Sequence, residues 1–241
     1  MPLFPPFNLP EGVILLITDG LAAPADFVLH RCLASHLKEK RKPKAIILSV
    51  SEGIGRWKAL ASKSNVNLER HLDSGSLEFI EVLGDVQAPS TEGGNSLKAV
   101  LNCVKTSLNR AVDNSKIVIL DDISMLEWIG FTLIDVIRFA RALRAVCLKA
   151  NATLFVRHHI VTPNEPDEVF RHLLQTCTYH LEVLPLASGR SGTVSGEVAL
   201  HIGFSAPSET VKLIPRSAAL QYRLTDIGPD FFAKGTSEGV L

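Results

Sequence analysis

Four stretches of this 241-residue chain are apolar almost without interruption: VILLI at 13–17, AIILSV at 45–50, KIVIL at 116–120 and ATLFV at 152–156. Short runs rich in β-branched residues and closed by turn signals predict strands buried on both faces, as in a parallel sheet. Between them apolar residues recur at helical spacing. Ala25, Val28, Leu29, Cys32 and Leu33 share one face of a helix that starts near Pro24. Leu97, Val100, Leu101, Val104 and Leu108 share the face of a second. A third spans 131–149, with Ile134, Ile137, Leu143 and Cys147 inward. Shorter helices are predicted over 55–63, around Trp57 and Leu60, and over 167–177, with a helix or turn at 67–73. LEFIEV at 77–82 alternates apolar with acidic or polar positions, which predicts a half-exposed strand.

After Tyr179 the pattern changes. Short strand-like runs at 179–184, 197–204, 210–214 and 220–225 are separated by polar loops such as SGRSGTVSG. That predicts an antiparallel meander. The chain therefore reads as α/β, with a mostly parallel sheet flanked by helices and a C-terminal antiparallel extension. Residues 1–10 carry four prolines and are expected to form an extended arm. Residues 11–241 form one domain, with a core at 11–184 and a meander and tail at 185–241. The polar, glycine-rich loop at 84–95 is the expected mobile segment.

The first strand ends at Thr18-Asp19-Gly20 and hands over to a helix. In nucleotide-binding α/β proteins this junction holds phosphates, because loop and helix N–H groups converge there. Gly20, four residues, then Ala25-Asp26-Phe27 overlays the P-loop pattern G-x-x-x-x-G-K-[ST]. Only Gly20 survives. Asp26 stands at the lysine position; at ~4 Å and an effective dielectric of ~20 each repulsion with a phosphate charge costs about 4 kcal/mol. Phe27 replaces the metal-binding hydroxyl, and Pro24 removes an N–H donor. Two readings fit: a degenerate P-loop, or an ordinary strand–turn–helix.

Asp121 and Asp122 close the KIVIL run as a Walker B strand delivers carboxylates to Mg²⁺, and they serve equally as capping or structural groups. His158 and His159 are adjacent on a predicted strand end, so they face opposite sides and make poor metal co-ligands. No metal site, cofactor or catalytic constellation emerges. Arg138, Arg141 and Arg144 form a helical stripe that is solvated, partner-facing or an RNA contact.

Lys+Arg and Asp+Glu are both 25, so net charge is zero. Free-standing nucleic-acid binders are usually basic, so any RNA contact is local or shared with partners. Cys32, Cys103, Cys147 and Cys177 are far apart and read as reduced core thiols. No apolar run approaches the ~18 residues of a membrane span. The expectation is a soluble protein of the cytoplasm or nucleus.

The C-terminal segment Phe231-Phe232-Ala233-Lys234-Gly235-Thr236-Ser237, ending Gly239-Val240-Leu241, resembles the tail of the Elongator complex protein 6 family. Leu220-Gln221-Tyr222-Arg223-Leu224 is similar to the family's penultimate strand, and Ile119-Leu120-Asp121-Asp122-Ile123-Ser124 to its strand-end segment. The resemblance implies a RecA-like fold with a degenerate Walker A, which Gly20, Ala25, Asp26 and Phe27 fit. It implies a non-catalytic subunit of a heterohexameric ring with Elongator proteins 4 and 5. Such a ring binds tRNA and supports wobble-uridine modification, while the catalytic Elongator subunits perform the chemistry. By position, Arg157, His158 and His159 open a loop that faces RNA, caps the strand or bonds a neighbouring subunit. Phe231, Phe232 and Lys234 form an assembly tail, or the two phenylalanines pack on the chain's own core. The rival readings are an unorthodox NTPase and a RecA-like adaptor of another complex.

Overall fold

A computed structural model describes residues 7–39, 41–82, 93–111, 114–162, 165–189, 191–207, 211–226 and 228–234. The parallel strands are β1 (Ile14–Asp19), β2 (Pro43–Ser49), β3 (Leu77–Glu81), β4 (Ser115–Leu120), β5 (Thr153–His159) and β6 (Tyr179–Leu184). The antiparallel strands are β7 (Gly196–Ile202), β8 (Leu220–Leu224) and β9 (Pro229–Phe232). They join in one sheet of order β3-β2-β4-β5-β1-β6-β7-β8-β9. The half-exposed β3 is an edge, as its alternating sequence requires.

Helices cover both faces: α1 (Asp26–Glu39), α2 (Ile54–Lys63) and α3 (Leu68–Asp73) on one, α4 (Gly93–Arg110), α5 (Ser124–Trp128), α6 (Leu133–Lys149) and α7 (Glu168–Thr176) on the other. Alternation along β1 feeds both layers. Leu15 and Ile17 pack under α1 and α2, and Ile14 and Leu16 under α6 and α7. Side-chain caps start three helices: Asn67, Thr132 and Asp167 each accept a backbone N–H three residues on.

Several expectations change. The strand predicted at 152–156 runs on to His159, because pairing with β1 continues through Asp19. No strand forms over 211–214; Ile214 makes one isolated bridge to Leu200. The tail supplies β9, which the sequence reading did not contain. The first helix begins at Asp26, past Pro24. On α6 the inward residues are Val136, Phe139, Leu143 and Cys147; Ile137 is half-buried and Ile134 is 58% exposed. Cys103 is exposed on α4, and the other three cysteines are buried. Burial pushes the Cys147 and Cys177 thiols up to about 12. Phe7 and Leu9, within the expected arm, are buried in the core, Phe7 edge-on to Phe231 at 5.7 Å. The expected mobile loop, apart from its last residues, and the tail beyond Lys234 lie outside the described residues.

A polar seam crosses the sheet. The His180 Nε2 on β6 lies 2.6 Å from the Thr18 hydroxyl on β1, and His201 and Arg216 both bond Glu182. Burial holds the His180 imidazole well below its ordinary value, at about 4, against the pull of Glu182. Between about pH 4 and pH 6.5 the unfolded chain therefore binds a proton that the folded chain does not. Stability rises with pH through that window and is lost as pH falls. The expected contribution is up to about 3 kcal/mol. Urea midpoints measured from pH 7 to pH 4.5 should fall steadily, and His180→Gln should flatten that slope. A slope unchanged in the variant would assign the pH dependence elsewhere.

Candidate functional site

β1 ends in Asp19, whose side chain is fully buried. Its Oδ2 accepts the Ala25 backbone N–H at 2.5 Å and the Arg157 Nε–H and Nη2–H at 2.9 Å each. Its Oδ1 lies 3.0 Å from His159 Nδ1. The β1–β5 register explains the convergence. Asp19 pairs with His159 and Ile17 with Arg157, so Arg157 and His159 project to the α1 side with Asp19. Burial works against the charged guanidinium of Arg157, but Asp19 more than offsets it, and its pKa lies above the ordinary value.

The turn itself is tight. Ala23 N–H donates to the Gly20 carbonyl at 3.0 Å, and the two residues form an isolated bridge. Gly20 has no need to be glycine: an added Cβ meets nothing closer than the Ile160 carbonyl at 3.6 Å. The start of α1, where an anion is favoured by free N–H groups and the helix dipole, holds the chain's own carboxylate. Ala25 is buried. Asp26 turns outward to Arg56 at 3.0 Å, and Arg56 also reaches Glu52. Phe27 stacks on Tyr222 of β8 with centroids 4.7 Å apart, tying α1 to the antiparallel extension.

The acidic pair at the end of β4 bonds to backbone. Asp121 is buried and accepts the Ser49 hydroxyl at 2.6 Å and the N–H groups of Val50, Ser51 and Glu52. It thereby ties β4 to the turn after β2. Burial raises its pKa, partly opposed by the Ser49 bond. Asp122 accepts the N–H and hydroxyl of Ser124 and starts α5. His159 N–H donates to that same hydroxyl at 2.7 Å.

The sequence-predicted residues thus lie in three places. Gly20, Ala25, Asp121, Asp122, Arg157 and His159 all lie at the carboxyl edge of β1, β4 and β5. His158 lies on the opposite face, where its Nε2 is 2.9 Å from Asp167 and its ring stacks near Phe170. Phe231 and Phe232 belong to β9, where Phe231 packs on the core beside Tyr222 and Phe7. Lys234 lies 3.6 Å from Glu197. Asp19, the centre of the site, drew no attention in the sequence. Its only signal is an acid at the end of an apolar run, and its partner is 138 residues away. Among the described residues no three His, Cys, Asp or Glu side chains are grouped to hold a metal.

The strand order, the helices on both faces and an anion-holding turn after β1 define a RecA-like protein. The chain superposes on a KaiC-like protein of Pyrococcus horikoshii OT3 with a TM-score of 0.64 over 92% of this chain and 91% of that one, at 12% identity. Residues 4–226 match the family described as Elongation complex protein 6, and the chain belongs to that family. Elongator complex protein 6 of zebrafish (Danio rerio) is 25% identical over 98% of this chain and 96% of its own length. The human protein is also 25% identical with the same coverage, and that of Xenopus laevis is 27% identical over 93% of this chain and 89% of its own. The chain is thus similar to subunits of the Elongator complex along nearly its whole length.

Removing one partner of a buried pair leaves an uncompensated charge, at a cost of about 3–5 kcal/mol. Asp19→Ala and Arg157→Ala should each lower stability on that scale. The double variant should cost less than the two together, because neither charge is then stranded. Urea unfolding of all four chains checks this; strict additivity would mean that the pair is not coupled.

Proposed function

We propose that this chain is a non-catalytic RecA-like subunit of a heterohexameric ring with Elongator proteins 4 and 5. In this reading the ring binds tRNA and serves wobble-uridine modification, and the catalytic Elongator subunits carry out the chemistry. The ring works in the cytoplasm, and in the nucleus as well. The chain itself uses no cofactor. Among the described residues no helix is long and apolar enough to cross a membrane.

The observation that carries this reading is the Asp19 carboxylate at the start of α1. A triphosphate brought to that turn would have to displace the Asp19 carboxylate from the Ala25 N–H and from Arg157, and the position of the P-loop lysine is held by Asp26 in its pair with Arg56. Gly20, Ala25, Asp26 and Phe27 are then a degenerate P-loop, and Asp121 and Asp122 a strand end kept for structure. Exposed apolar side chains support a role in assembly. Leu21 (84% exposed), Trp128 (72%) and Val161 (51%) follow β1, β4 and β5, which are neighbours in the sheet. Large exposed apolar groups gathered at one edge mark surfaces that partners cover. The hydrogen bonds of Arg157 and His159 to Asp19 make their first role the integrity of this edge. Contact with tRNA is then a property of the ring to which the segment after β5 contributes.

Isothermal titration with ATP separates the readings. The isolated chain should show no micromolar affinity. Mixed with Elongator proteins 4 and 5, it should form a stoichiometric ring that binds tRNA with a salt-dependent affinity. Micromolar ATP affinity accompanied by release of phosphate would favour an unorthodox NTPase. A chain that binds neither protein would leave an adaptor of another kind.

A further inference from the structure

The outer stripe of α6 is the surface that the fold and the ring reading leave unexplained. Five residues of this helix are exposed in register: Ile134, Arg138, Arg141, Ala145 and Leu148. Their spacing alternates four and three, the heptad seam along which one helix receives another. At 1.5 Å per residue the seam is about 21 Å long. Its ends are apolar, with Ile134 58% and Leu148 41% exposed. Its centre is cationic, and Ala145 leaves room for close approach of a backbone.

The acids on this side of the sheet, Glu127, Asp135, Asp167 and Glu168, lie on α5, α7 and the first turn of α6. From Val136 to Lys149 α6 contains no acidic residue, and α4, packed beside it, contains none at all. Among the described residues neither Arg138 nor Arg141 has an acidic partner, and Lys98, Lys105 and Arg110 of α4 add to the same field. On the opposite face two exposed cations of α2 do have such partners: Arg56 pairs with Asp26 and Glu52, and Lys58 with Glu69.

We infer that the α6 seam docks an acidic amphipathic helix of a partner protein, apolar at its two ends and carrying Asp or Glu between them. Two aliphatic side chains in register with the arginines select a helix over RNA, because a phosphate backbone gains nothing from Ile134 and Leu148. A second copy of this chain is excluded by charge, since an α6 seam facing its twin sets arginine against arginine. The inference rests on membership of the Elongator complex and not on the ring geometry. It concerns a helix face, and its partner is defined by chemistry alone.

Thiol accessibility tests it. Ala145→Cys is introduced with Cys103→Ser, which removes the exposed natural thiol. Maleimide labelling is timed on the full chain alone and in the purified Elongator assembly. Labelling should slow by about tenfold or more in the assembly. Adding Arg138→Glu with Arg141→Glu should return it to the rate of the free chain, with the unfolding midpoint of the free chain little changed. A photocrosslinker on the Ala145→Cys thiol should capture a peptide with acids flanked by apolar residues at heptad spacing. Reversing those acids to lysine should restore protection to the double-glutamate variant. Equal labelling rates in chain and assembly would overturn the inference, as would a crosslink to RNA or to a peptide without acids.

Discussion

One carboxylate holds the carboxyl edge of the sheet together. Asp19 joins the start of α1, through Ala25, to Arg157 and His159 at the end of β5. Taking an ionised carboxylate out of water costs several kcal/mol even after the protein relaxes. Here that cost is offset by two guanidinium N–H donors, a backbone N–H and an imidazole, all aimed at one group. Such a site is stable when complete and unstable when any member is missing. It therefore fixes the conformation of the turn far more tightly than the hydrophobic packing around it can.

The same device recurs one strand pair away. A sheet edge that feeds helices leaves N–H groups without partners, and these must bond to something. Asp121 takes three of them from the turn after β2, Asp122 takes one from α5, and Asp19 takes one from α1. In a nucleotide-binding relative of this fold, such donors meet phosphate. Carboxylates supplied by the chain do the work here. The edge is closed by internal anions, and Phe27 and Tyr222 seal its flank with a stacked pair.

Much of this architecture was legible in the sequence. Continuous apolar runs marked β1, β2, β4 and β5, because a strand covered on both faces tolerates no polar position. The missing residues of β5 show where that signal stops. Arg157, His158 and His159 are a strand in structure but not in hydropathy, since their partners are Asp19, Thr18 and Asp167 rather than a core. β9 was hidden for a different reason. Pro229, Asp230 and two phenylalanines carry little strand signal, and only pairing with β8 gives them one. The turn into α1 that carries Gly20, Ala25, Asp26 and Phe27 was visible by spacing. Asp19 was not, because a buried ion pair spanning most of the chain leaves no local trace.

Composition misled in one further respect. A net charge of zero suggests an even surface. The three-dimensional arrangement places charges unevenly, with cations and no acid along α4 and along α6 from Val136 to Lys149. On the side of α1 to α3, Arg56 and Lys58 meet carboxylates. Along α4 and that stretch of α6 the cations have no such partner on the helix itself. Like charges gathered on neighbouring helices cost free energy in the isolated chain. An added anionic partner removes that cost and gains its own attraction, so the unneutralised face is the one where binding is favoured most. Recognition through such an outer face needs no opening of the carboxyl edge, where Asp19 and Asp121 occupy the backbone N–H groups.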